Sequence, residues 1–205
     1  MTTRVPIWTA AILVLALGVH CSAEEQPTKL VLKVDQDSSG PFGGQKGASC
    51  LRLYTDGRLL YASRSTAAIG VEDEHGKVTH PERRDSREYR VPERDSWQVS
   101  AFIDFVKSKG LRGLEPYYPP PHPPTDFFET TSVQVILPDG KGKQVHTREY
   151  YVASLVEKTK YPSALIVLMD QVEQFEHAVA ENGTPTEVPP DCKLDQKPEP
   201  ALKEQ

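Results

Sequence analysis

The chain predicts an α+β domain: an antiparallel sheet built from two β-hairpins and an N-terminal strand, with two amphipathic helices packed on one face. Three observations carry that expectation. Apolar residues alternate with polar ones over several short runs, as they do in strands with one buried face. Two of these runs turn back at Asp-Gly pairs, Asp56-Gly57 and Asp139-Gly140, which suit a turn with positive φ. Two longer runs space their apolar residues three and four apart, the period of a helix with one buried stripe. A length of 205 residues fits one domain with tails, and 38% hydrophobic with 26% charged residues supplies a core of ordinary size.

Residues 1–23 read as a secretory signal rather than as part of the fold. Arg4 precedes an apolar run of 13 residues, Ile7 to Val19, and the small residues Cys21 and Ala23 follow at the spacing a signal peptidase reads. The run is shorter than the ~20 residues a membrane-spanning helix needs. Lipid anchoring at Cys21 would want a small residue just before it, and His20 stands there instead. The expectation is therefore export to the periplasm or the medium, with cleavage after Ala23.

Cleavage takes away Arg4 alone among the charged residues, so the net charge moves from −5 to −6. That balance, without a basic cluster, argues against a nucleic-acid partner. Cys50 and Cys192 remain. In an oxidising compartment they can form a disulfide; two unpaired thiols are the alternative.

The elements follow in order. Leu30, Leu32 and Val34 alternate and predict a first strand, and the glycine-rich run 38–47 predicts a connector. That run does not have the spacing of a phosphate-binding loop. Leu51 and Leu53 face Leu59 and Tyr61 across Asp56-Gly57, the first hairpin. Residues 66–90 are crowded with charge, Gly and Pro, and predict a loop or a poor hairpin turning at His75-Gly76, then a short strand at 88–91. Val99, Phe102, Ile103 and Val106 predict a helix that begins near Pro92 and stops at Gly110.

Val133 and Val135 alternate before Pro138-Asp139-Gly140, and residues 143–151 return as the partner strand. Leu165, Leu168, Val172, Phe175 and Val179 line a last helix between Pro162 and Asn182-Gly183. The domain therefore spans residues 24–183. The tail, 184–205, is rich in Pro and charge and predicts disorder except near Cys192.

The hairpin around Asp56-Gly57 and the order of elements after it resemble a family of exported bacterial domains of unknown function. The residues that carry the resemblance are Cys50, Tyr54, Asp56, Gly57, Tyr61, Tyr117, Asp126, Thr130, Thr131, Asp139 and Gly140. It spans residues 29–182. The chain departs from the family in having only Cys50 of a Cys-x-Gly-x-Cys-Pro segment, and in an insertion at 67–87. The resemblance implies export and an α+β fold, and no activity.

The most unusual stretch is the proline-rich loop at 116–129. Pro119, Pro120, Pro121, Pro123 and Pro124 favour an extended polyproline II form, and Tyr117, Tyr118, Phe127 and Phe128 bracket it. Such a segment can brace two halves of a domain. It can equally present a preformed edge to a protein or peptide of the cell envelope, with Tyr117, Tyr118, His122, Asp126, Phe127 and Phe128 as the contact set.

Catalytic patterns are weak. His122 and Asp126 could pair as a base and its orienter, but no nucleophile motif accompanies them. His75 and His80 in a charged loop could catch a metal, but their spacing matches no known ligand motif. The expectation is a non-catalytic module without cofactor or metal. A small hydrolase, a metal-dependent enzyme, or a protease inhibitor presenting the proline loop are the alternatives.

Overall fold

The computed structural model describes residues 28–40, 46–67, 70–72, 74–121, 128–136 and 140–195. The fold is α+β. Ten strands run β1 (Leu30–Ser39), β2 (Lys46–Tyr54), β3 (Arg58–Thr66), β4 (Val71–Glu72), β5 (Val78–Thr79), β6 (Glu82–Arg90), β7 (Tyr117–Tyr118), β8 (Phe128–Ile136), β9 (Gly142–Arg148) and β10 (Thr184–Pro185). The described residues also hold four α-helices: α1 (Ser96–Val106), α2 (Lys109–Arg112), α3 (Leu155–Lys158) and α4 (Ser163–Asn182).

Eight strands form one sheet in the order β10-β6-β3-β2-β1-β8-β9-β7, and β4 and β5 pair apart from it. The first strand in sequence thus lies at the centre, between β2 and β8. The sheet is not wholly antiparallel as expected, because β7 lies parallel to β9. Tyr117 enters beside His146 after the chain has crossed from α2, so it arrives in the same direction as the strand it joins.

Strand pairing stacks the side chains into rows, since opposite residues share a face. On the helix-facing side one row reads Leu59, Leu53, Leu32, Val135 and Lys143 across β3, β2, β1, β8 and β9. The next reads Tyr61, Leu51, Val34, Val133 and Val145. These rows meet Val99, Phe102 and Val106 of α1 and Leu165, Leu168, Val172, Phe175 and Val179 of α4 in one core. Phe102 and Phe175 join the two helices edge to face, with ring centres 5.5 Å apart. Gly57 takes φ 77° in the β2–β3 turn, where a side chain would be strained.

Two expectations failed locally. Residues 82–90, read as loop and short strand, form a nine-residue strand. Its apolar alternation is missing because ion pairs stand in for it: Arg64 with Glu82 at 2.9 Å, and Arg87 with Asp85 at 2.9 Å. The tail, read as disordered except near Cys192, is built into the fold over residues 184–195: Thr184 and Pro185 pair with β6. Of the two readings of Cys50 and Cys192 the structure shows the disulfide, with Cα atoms 5.9 Å apart.

The core argument makes a simple contrast. Leu51→Ala, at a fully buried position in the second row, should cost about 2–5 kcal/mol in urea denaturation. Leu155→Ala, at an exposed position, should change stability by less than about 0.5 kcal/mol.

Candidate functional site

The proline segment leaves β7 along the sheet edge and is fixed there by hydrogen bonds to its carbonyls. The His146 backbone N–H donates to Pro116 O at 2.9 Å. The Tyr161 hydroxyl donates to Pro119 O at 3.0 Å, and Lys160 Nζ donates to Pro121 O at 2.9 Å. A proline run has no N–H groups to offer, so it can be tied down only through its carbonyls. Tyr118 is buried against Tyr161, ring centres 6.1 Å apart, and its hydroxyl accepts from Glu115 N at 2.8 Å. Tyr118 thus sits as a pin beneath the rail.

Tyr117 points outward and is 41% exposed. Phe128 lies half-buried beneath the Arg148 guanidinium, 4.7 Å from its ring centre. His122, Asp126 and Phe127 lie outside the described residues.

Beside the rail stands a feature that periodicity could not reveal. Residues 150–158 make a tight corner and the single turn α3. A capping box locks it: Ser154 Oγ accepts from Glu157 N at 3.3 Å, and Glu157 Oε2 accepts from Ser154 N at 2.8 Å. This rigid turn presents Val152, Leu155 and Val156 at 46, 84 and 77% exposure. Aliphatic side chains that exposed, consecutive and on a braced turn, mark a contact surface more often than an accident. The corner is held from below by Tyr150, whose ring lies 5.4 Å from that of Tyr161, with Lys158 Nζ 4.8 Å above it.

Under the corner the core turns polar. The third helix-facing row reads Ser63, Ser49, Gln36, Thr131 and Thr147. Glu129 is buried beside it and accepts from Thr131 Oγ1 at 3.1 Å. Burial foremost pushes the Glu129 carboxyl above its ordinary range. Glu149, also buried, is the one non-glycine with positive φ (56°) among the described residues, and its carboxylate accepts from Arg148 Nε at 3.2 Å. Burial pushes the Tyr150 and Tyr151 hydroxyls up and takes Tyr161 to about 12. Thr147 Oγ1 and the Tyr150 and Tyr151 hydroxyls have no hydrogen-bond partner among the described residues. From α4, Glu176 closes the polar row with its carboxyl pushed up to about 7, by burial first and then by Glu173 and Glu129.

The weaker candidates separate. His75 is exposed beside Glu74, Nε2 to Oε1 3.6 Å, while His80 Nδ1 lies 3.0 Å from the Ala67 carbonyl. Among the described residues no group of three His, Cys, Asp or Glu is placed to hold a metal ion. Cys50 is in a disulfide and offers no thiolate. An open groove between α1 and α4, lined by Asp95, Asp170, Glu173, His177 and Glu181, was not legible from spacing because its walls are 75 residues apart in the chain.

Glu176 makes the fold sensitive to pH. Its folded value, about 7, lies above the ordinary 4.5, so the fold favours the protonated form. That contribution is full below about pH 4.5 and is lost as the pH rises through about 7. Thermal unfolding should show stability falling across that window, by at most ~3 kcal/mol from this group. Glu176→Gln should flatten the fall and be the more stable protein at pH 8. No protein-family model, curated protein or solved structure matches this chain.

Proposed function

We propose that the protein is an exported, non-catalytic binding module whose partner is a protein of the cell envelope. The partner would seat on the edge formed by the proline rail, Tyr117 and the α3 turn. The observation that carries this is the near-complete exposure of Leu155 and Val156 on a turn made rigid by its capping box. An edge already ordered before binding loses little conformational entropy on association. Burying the two aliphatic side chains offers about 1.5–3 kcal/mol each.

Export is supported by the signal-like residues 1–23 and is compatible with the Cys50–Cys192 disulfide. Among the described residues no helix is long and apolar enough to cross a membrane.

The test is affinity capture from an envelope extract with the mature chain and with a Leu155→Ser, Val156→Ser variant. The variant should keep the wild-type melting temperature and lose the captured protein, with affinity down by roughly 100-fold when measured on the purified pair. Equal capture by both would refute the reading, as would substrate turnover by the purified chain.

A further inference from the structure

The helices cover one face of the sheet. The other face carries rows that alternate with those of the core, and across its centre lies the chain's own tail. One of these rows contains Lys33 of β1 opposite Arg52 of β2. The next along contains Cys50 opposite Ala62 of β3, and the one after that Ala48, Arg64 and Arg84 of β6. Two pairs of cations thus flank a shallow dimple of small side chains. The pairs are four residues apart along the strands, about 13 Å at strand rise.

The tail matches this surface residue by residue. Asp191 meets the first pair: its Oδ2 accepts from Arg52 Nε at 2.7 Å and lies 3.8 Å from Lys33 Nζ. Cys192 bonds to Cys50, and Leu194 is buried in the dimple with Cys50 and Ala62. Asp195 Oδ1 accepts from Arg64 Nη1 at 3.0 Å and from Arg84 Nη2 at 2.9 Å. Asp191 and Asp195, four residues apart, reach the two cation pairs, with turn residues at 190–191 and 194–195.

The cations are held by the sheet and not by the tail. Arg52 Nη1 donates to Val34 O at 2.7 Å and Leu51 O at 3.0 Å, and Nη2 donates to Asp35 at 2.7 Å. Glu82 fixes Arg64 and Arg84 in the same way. Arg52 is left with Nε and one Nη2 proton aimed outward; Nε donates to the Asp191 carboxylate at 2.7 Å and Nη2 to the Asp191 main-chain carbonyl at 3.2 Å, a preformed site for an acidic residue. The tail lies on top of this strip, and the contacts of Asp191, Cys192 and Asp195 with it are not strand pairings among β1, β2, β3 and β6.

We propose that this strip is a second binding surface, a receptor for a short acidic segment of a partner protein. The segment would carry two carboxylates four residues apart with an aliphatic residue just before the second. The native tail is its built-in occupant, and the Cys50–Cys192 bond is the lock. A dithiol reductant opens the lock: it gives up two electrons and two protons, the S–S bond breaks to two thiols, and the dithiol becomes a disulfide.

The test uses the full mature chain and a fluorescent peptide copying residues 188–195 with Cys192→Ser. The open protein carries Cys192→Ser, Asp191→Asn and Asp195→Asn, which unlocks the tail and removes its two anchors. The peptide should bind the open protein, and bind oxidised wild type at least tenfold more weakly. Peptide carrying Asp191→Asn and Asp195→Asn should also bind the open protein at least tenfold more weakly. Arg64→Gln with Arg84→Gln in the open protein should weaken binding likewise. Absence of binding to the folded open protein, or equal binding by the neutralised peptide, overturns the proposal.

In wild type, a dithiol should speed tryptic cleavage after Lys193 at least tenfold while the sheet's circular dichroism is unchanged. Unaltered cleavage overturns the lock. Should the open protein fail to fold, reduced wild type with excess peptide takes its place under the same criteria.

Discussion

The Arg52 guanidinium is the interaction on which the two sides of this molecule depend. It is wholly buried in a sheet that has helices enough for only one face. A buried charge is tolerable only when its donors are matched, and here Val34, Leu51, Asp35 and Asp191 match them. Three of these partners are in the sheet; the fourth brings the tail across the uncovered face. The disulfide then closes a loop with a sequence separation of 142, long enough to restrict the unfolded chain substantially. A short, proline-rich, charged tail thereby does for one face what α1 and α4 do for the other.

The opposite face shows the reverse economy. Its two apolar rows run across four and five strands, the first ending at Lys143 of β9, and then the third row is polar from Ser63 to Thr147. This is where the core ends and the proline rail, the tyrosines and the α3 corner begin. Tyr150, Tyr151 and Tyr161 suit such a boundary, because each has an apolar ring for the core and a hydroxyl for the polar side. The strained backbone at Glu149 marks the point where β9 breaks off to form the corner.

Much of the fold was legible in the sequence because it rests on period. Leu30 to Val34, Leu51 to Tyr61 and Val133 to Val135 alternate as the strands do, and the stripe from Leu165 to Val179 is the stripe of α4 that is buried. The strand at 82–90 was not legible, because its pairing depends on arginine–carboxylate contacts with β3 that have no periodic signature. The tail was legible only at Cys192, as one of two readings of the cysteine pair; Asp191 and Asp195 look like solvated charges until Arg52, Arg64 and Arg84 are placed beneath them. At the edge, the prolines and aromatics were conspicuous, yet Tyr118 proved a pin. Leu155 and Val156 drew no notice, since two aliphatic residues in sequence say nothing of exposure.

The most direct test of this account is hydrogen exchange on the oxidised mature chain against Asp191→Asn. The variant should lose protection at the tail amide of Cys192, whose N–H donates to Pro189 O, while β2, paired on both sides by β1 and β3, stays protected. The helix-facing core of α4 should remain protected. Equal protection of the tail in the two proteins would contradict it, because the tail would then be held without the Arg52 carboxylate contact.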